Sequence, residues 1–174
     1  PDSARVEECR EAIAPILIAS ASSDWRERHQ AVTTLADLLM LDFPAEVSSQ
    51  VGLLTQTFDV MSQRLTDSNS KCQLHALQTL NNVIPALCSG STVVAAAEGG
   101  SAGISHAPMS PTSSGSSGAR MVLQPVLSLF VPAMAKCLAS SNGTVRTNAT
   151  TLFSTLNGHV DHPSLIQLFV NICN

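Results

Sequence analysis

The sequence predicts an all-α fold, an α-solenoid of about three stacked helix pairs, on three observations. Hydrophobic residues make up 44% of the chain but aromatic residues only 3%, with no Tyr and one Trp. The core is therefore built from Leu, Val, Ile, Ala and Met, a composition that favours helices over sheets. Apolar residues recur at intervals of three and four, the helical period, and no β alternation of useful length occurs. A polar turn leading into an apolar-periodic helix also recurs along the chain.

Residues 4–19, with Val6, Cys9, Ile13, Ile16 and Leu17, form the first predicted helix, which Pro15 is expected to kink or interrupt. Trp25 to Leu41 form the second, after the candidate N-caps Ser23 and Asp24. Residues 47–65 carry one stripe through Val47, Val51, Leu54, Phe58, Met61 and Leu65. Residues 74–87 continue with Leu74, Leu77, Leu80, Ile84 and Leu87. Residues 122–138 add Val122, Val126, Leu129, Ala133, Met134 and Leu138, and residues 145–160 add Val145, Ala149, Leu152, Phe153, Leu156 and Val160. Leu165 to Cys173 is a further apolar helix that reads as cut short. Between 89 and 119, Gly, Ser, Ala and Pro replace the periodic residues, which predicts a flexible low-complexity loop within one domain spanning 1–174. Ser110-Pro111 inside it fits a proline-directed phosphorylation pattern, a pair that such a composition readily produces by chance.

Three segments align on Ala31, Ala76 and Ala149: "DWRERHQAVTTL", "NSKCQLHALQTL" and "NGTVRTNATTLF". Asp24, Asn69 and Asn142 stand seven positions before the alanines, and each first turn holds a basic residue: Arg26 and Arg28, Lys71, Arg146. The alanines are 45 and 73 residues apart, with about 30 of the 73 in the low-complexity stretch, so the unit matches the length of a HEAT repeat. In stacked antiparallel pairs the turns within pairs emerge on one edge, so these three turns are expected to form a line.

The net charge of -4 and the absence of like-charge blocks argue against nucleic acid or an anionic membrane as partner. The opening "PDSARVEECREA" lacks the pattern of a signal peptide and no run of eighteen apolar residues occurs, so an intracellular, cytoplasmic protein is expected. Cys9, Cys72, Cys88, Cys137 and Cys173 are dispersed, without Cys-x-x-Cys pairing, and read as small buried hydrophobes in a reducing compartment. Asn142-Gly143-Thr144 and Asn148-Ala149-Thr150 match the glycosylation pattern, which without an export signal reads as coincidence. Cys72 with His75, and His159 with Asp161 and His162, are the only local groupings with chemistry. A zinc site needs about four convergent ligands and a nucleophile needs a base in reach. No phosphate loop, paired-carboxylate motif or Gly-x-Ser-x-Gly elbow occurs. No catalytic residue, metal, cofactor or small-molecule substrate is expected, and the chain does not read as an enzyme.

The runs "DWRERHQAVTTLADLL", "RLTDSNSKCQLHALQTL" and "NGTVRTNATTLFSTL" resemble the opening half of a TOG domain, the tubulin-binding HEAT array of the CLASP and crescerin families. The stretches "FDVMSQRLTDSNSKCQLHALQTLNNVIPAL" and "HVDHPSLIQLF" are most similar to the crescerin family, the TOG array regulators of axonemal microtubules. The resemblance covers nearly everything outside 89–119. It implies a flat paddle whose turns contact tubulin along one edge, in the cytoskeleton and, for crescerin, the cilium or axoneme. Carried onto this chain, it implies Trp25 as an apolar anchor beside Arg26 and Arg28, then Asn69 and Lys71, then Asn142 and Arg146. The chain supplies about half of the repeats of the pattern, which leads us to expect an apolar end where a further repeat stacks.

Each of these residues also has a plainer reading. Trp25, at a helix start, is suited to pack inward as a staple. Asn69 and Asn142 suit helix caps. A cation near a helix N-terminus opposes the helix dipole and can be simply solvated. The alternative function is a HEAT-repeat scaffold that binds other proteins and not tubulin.

Overall fold

The computed structural model describes residues 2–90, 123–160 and 162–173, and among them every regular element is helical. Helix α1 (Ser3–Ser20) starts at Asp2, whose carboxylate accepts the Ala4 N–H at 3.2 Å. It runs through Pro15 without the expected interruption. Pro15 and Glu11 are both exposed, so the Glu11 carbonyl that loses its i+4 donor is open to water. Helix α2 (Trp25–Asp37) widens into a π turn at Leu38–Asp42, which seats Leu38 and Leu39 in the core.

The expected single helix over 47–65 is two helices, α3 (Pro44–Ser49) and α4 (Val51–Leu65), separated at Gln50 with φ -114° and ψ 101°. Pro44 sets the first turn of α3. The Ser48 and Ser49 hydroxyls donate to the Ala45 and Glu46 carbonyls at 3.1 and 3.0 Å, an alternative to helix continuation that short polar side chains offer. Val47 is buried from α3 while Val51 is 59% exposed, so the apolar stripe belongs to α4 alone, from Leu53 and Leu54 to Leu65.

Helix α5 (Ser70–Gly90) is longer than the 74–87 reading. Its core face runs through Cys72, Ala76, Leu80, Val83 and Leu87, whereas Leu74 is half-buried. Residues 89 and 90 are therefore helical and not loop. The rest of the expected loop, Ser110-Pro111 and Val122 lie outside the described residues. A 3-10 turn at Gln124–Val126 leads into α6 (Leu127–Leu138), followed by α7 (Gly143–His159) and α8 (His162–Cys173).

The pairs α1–α2, α4–α5 and α6–α7 stack as an α-solenoid. One layer holds α2, α5 and α7, and the other holds α4 and α6, with α8 against α6. Bonds across the layers fix the direction. Thr33 on α2, two after Ala31, meets His75 on α5, one before Ala76, and Asn81 on α5, five after Ala76, meets Thr155 on α7, six after Ala149. Ser62 and Leu65 on α4 likewise meet Leu129 and Cys137 on α6. Helices within each layer therefore run parallel, and the turns at 21–24, 66–69 and 139–142 share one edge.

The core is one aliphatic cluster with few aromatic rings, among them Phe58 of α4 and Phe130 of α6 at 5.4 Å between centroids. Cys9, Cys72, Cys88 and Cys137 are buried within or beside it as thiols and not disulfides, while the Cys173 side chain lies outside the description. Burial pushes Cys9, Cys88 and Cys137 up to about 11, which keeps these thiols protonated near neutral pH.

Candidate functional site on the turn edge

The three turns share one backbone design. Asp24 Oδ1 accepts the Arg26 N–H at 2.9 Å, Asn69 Oδ1 the Lys71 N–H at 2.9 Å, and Asn142 Oδ1 the Thr144 and Val145 N–H groups at 3.0 and 3.4 Å. Asn69 and Asn142 are therefore N-caps, worth about 1 kcal/mol each against alanine. Two residues earlier, Ser22 Oγ, Asp67 Oδ1 and Ser140 Oγ accept the N–H of the capping residue itself at 3.1, 2.8 and 3.2 Å. Each turn is thus held by at least two local bonds, which presents the first helical residues at a fixed angle.

The basic residues fall into two registers. Arg28 and Arg146, each three before its alanine, fold back onto their own turns. Arg28 Nη1 donates to the Ser22 and Ser23 carbonyls, both at 2.9 Å, and Arg146 Nη1 to the Ser140 and Ser141 carbonyls at 2.7 and 3.0 Å. Gln73 holds the same register in the second turn and donates to the Leu65 carbonyl at 2.7 Å. Arg28 also grips Asp67 with two bonds of 2.8 Å, and Arg64 Nη1 reaches the same carboxylate at 2.9 Å. Every nitrogen of the Arg28 fork is engaged inside the molecule, in contrast to the outward contact implied for it.

The Asp67 side chain is 2% exposed and both arginines are 12% exposed. Burial alone pushes the Asp67 carboxyl up; the Arg28 hydrogen bonds, the Asn69 N–H and the charges of Arg28 and Arg64 outweigh it and hold the group below the usual carboxylate range. This triad ties the first turn to the second across 39 residues of sequence.

Arg26 and Lys71, each five before its alanine, are exposed and converge on Trp25. The Arg26 guanidinium lies 5.0 Å and the Lys71 ammonium 5.3 Å from the indole centroid. Contacts of this type are worth about 0.5–1 kcal/mol at exposed positions. Trp25 is half-buried, so it serves partly as the inward staple and partly as a solvent-facing ring. Its carbonyl accepts the Cys72 S–H at 3.2 Å, and its ring meets His29 edge-on at 6.5 Å. Behind it His29 stacks on His75 at 4.0 Å, and His75 Nε2 lies 2.9 Å from Thr33 Oγ1. In the third turn Gly143 and Thr144 occupy the places of Trp25 and Arg26. Asn142 and Arg146 are exposed on the same edge, but the aromatic-cationic cluster belongs to turns one and two.

Burial, followed by the charge of His29, holds the His75 imidazole below its ordinary value of 6.5. The unfolded chain therefore binds more protons than the folded one between the folded value and 6.5. His75's contribution to stability is full above that range and is lost as pH falls through the folded value. Thermal midpoints are expected to drop as pH falls below 6.5, and His75→Gln to remove part of that dependence. A pH profile identical in the variant would refute the assignment.

Asp67, Arg64 and His29 belong to the site although the sequence alone does not single them out. Position gave a signal for Asp67, which aligns with Ser22 and Ser140 nine before the alanines. Its two guanidinium partners became visible only once the turns were side by side. Among the described residues, no three His, Cys, Asp or Glu side chains gather in a metal-binding group, and no helix is long and apolar enough to cross a membrane.

No family model and no solved structure matches the chain. The human and mouse proteins named TOG array regulator of axonemal microtubules protein 1 are each 27% identical to it over 149 residues, 85% of this chain. The chain spans only 7% of the length of the human protein and 6% of the mouse one. Across most of its length, this helical-repeat chain is therefore similar, at low identity, to a short part of two TOG array regulators of axonemal microtubules.

Proposed function

We infer that the chain is a TOG-type HEAT array that binds tubulin or microtubules through its turn edge, and so contributes to the control of microtubule dynamics in the cytoskeleton, within a cilium or axoneme. The observation that carries this reading is the half-buried Trp25 ring flanked by Arg26 and Lys71, contributed by two consecutive, rigidly capped turns. An aromatic anchor with cations at its rim suits an acidic protein surface. The function is recognition without chemistry, requiring neither cofactor nor small-molecule substrate. Asn69, Asn142 and Arg146 act chiefly by shaping the edge, and Arg28 by tying its turns together.

Co-sedimentation with microtubules and size-exclusion with free tubulin test the reading. The Trp25→Ala/Lys71→Glu variant is expected to lose about 2 kcal/mol of binding, roughly thirtyfold, with the remaining affinity less sensitive to salt. Unchanged binding in that variant, or no binding by the wild-type chain, would favour a protein scaffold that keeps the fold without the tubulin contact. The engagement of Arg28 and Arg146 with their own turns is the observation on that side, because it leaves fewer cations free to meet a partner.

A further inference from the structure

A groove of about 550 Å³ runs between α1 and α2, the first pair of the stack, from Asp42 at one end to Ala19 and Glu27 beside the first turn. Its lining on α1 recurs at Ala12, Pro15, Ile16 and Ala19, and on α2 at Gln30, Ala31 and Thr34, so each wall is a helical stripe of spacing three and four. The α2 residues that bond to α5 and its preceding turn are Trp25, Arg28 and Thr33, with His29 stacked there, and none of the four lines the groove. The floor of the groove is apolar and holds the short side chains of Ala12, Ala19 and Ala31, which lets another helix approach closely.

Charge selects the occupant. Every charged side chain lining the groove is acidic: Glu27, Asp37 and Asp42, all exposed. None of the three carboxylates takes part in an ion pair among the described residues, and no Lys or Arg lines the groove. A helix laid in such a groove must bring an apolar stripe to the floor and cations to the rim.

We propose that the α1–α2 groove is a docking site for a basic amphipathic helix of another protein, with its apolar face on Ala12, Ile16, Ala19 and Ala31 and its Lys or Arg side chains against Glu27, Asp37 and Asp42. The site is separate from the Trp25 cluster and does not depend on tubulin binding.

The test uses the full 174-residue chain and fluorescence anisotropy of a labelled Leu/Lys peptide patterned as an amphipathic helix, with a Leu/Glu twin that keeps the same apolar face. The Leu/Lys peptide is expected to bind and the Leu/Glu twin not to. Thr34→Arg, an exposed change on the groove wall, is expected to weaken binding by about tenfold. Asp59→Asn makes the same change in net charge on α4, outside the groove, and is expected to leave binding as it was, as is Trp25→Ala. Gln30→Arg replaces Thr34→Arg if circular dichroism shows that the latter does not fold. Equal weakening by Asp59→Asn would reduce the effect to general attraction by a net charge of -4 and overturn the proposal. So would binding of the Leu/Glu twin, insensitivity to the groove change, or a self-association abolished by it, which would make the occupant a second copy.

Discussion

Asp67→Asn is expected to destabilise the protein by about 3–5 kcal/mol, read as a fall in the urea midpoint with an unchanged slope. The amide would leave Arg28 and Arg64 facing each other with no counter-charge, each only 12% exposed. The amide oxygen can still accept the Asn69 N–H, which Asp67 takes at 2.8 Å, so the loss is that of the counter-charge and not of the turn's lock. Replacing Arg28 by Met as well should cost less than the sum of the two single changes, because the second substitution removes one of the stranded charges. Wild-type stability carries the same signature in its pH dependence. Because the folded carboxyl is held below its ordinary value, its contribution is complete above about pH 4 and is lost as pH falls through the folded value. An Asp67→Asn variant with wild-type stability at neutral pH would refute the triad as the tie between the turns.

Phe130→Ala is expected to cost about 3–5 kcal/mol, the range for truncating a fully buried aromatic side chain. Phe130 is 0% exposed and sits against Phe58, so the cavity opens between the second and third pairs. The loss is larger than a composition so poor in aromatic residues suggests, because few rings fill this layer and aliphatic neighbours cannot collapse into the space of one. Loss of helical circular dichroism at a lower denaturant concentration measures it. A cost below about 1 kcal/mol would mean that α4 and α6 are held by other contacts.

The turns were legible in the sequence because a helix N-terminus needs an acceptor side chain at one fixed place, and Asp24, Asn69 and Asn142 supply it at a constant distance from a buried alanine. The direction of the cations was not. Arg26 and Arg28 are two residues apart, which on a helix turns them by about 200° and sends one over the indole and the other back to its own turn. Counting them together as basic residues of a first turn hid that difference. The break at Gln50 was hidden for a related reason: Val47 and Val51 keep helical spacing on paper, but two serines between them bond to their own turn. Asp67 read as one more polar residue in a turn, since nothing nearby in the chain says that a carboxylate will be buried against an arginine 39 residues away.

The parallel running of α2, α5 and α7 gives the two rims of the stack unequal freedom to change. On one rim the chain reverses through short turns locked by capping side chains, so a single added residue would misplace a cap. Helix α5 carries the chain roughly 30 Å away from that rim before Gly90, and α6 brings it back from the same remote side. Chain can be added between α5 and α6 without touching the turns that set Trp25 beside Lys71. Over generations, the far rim is where such a molecule can acquire new segments while its working edge keeps its form.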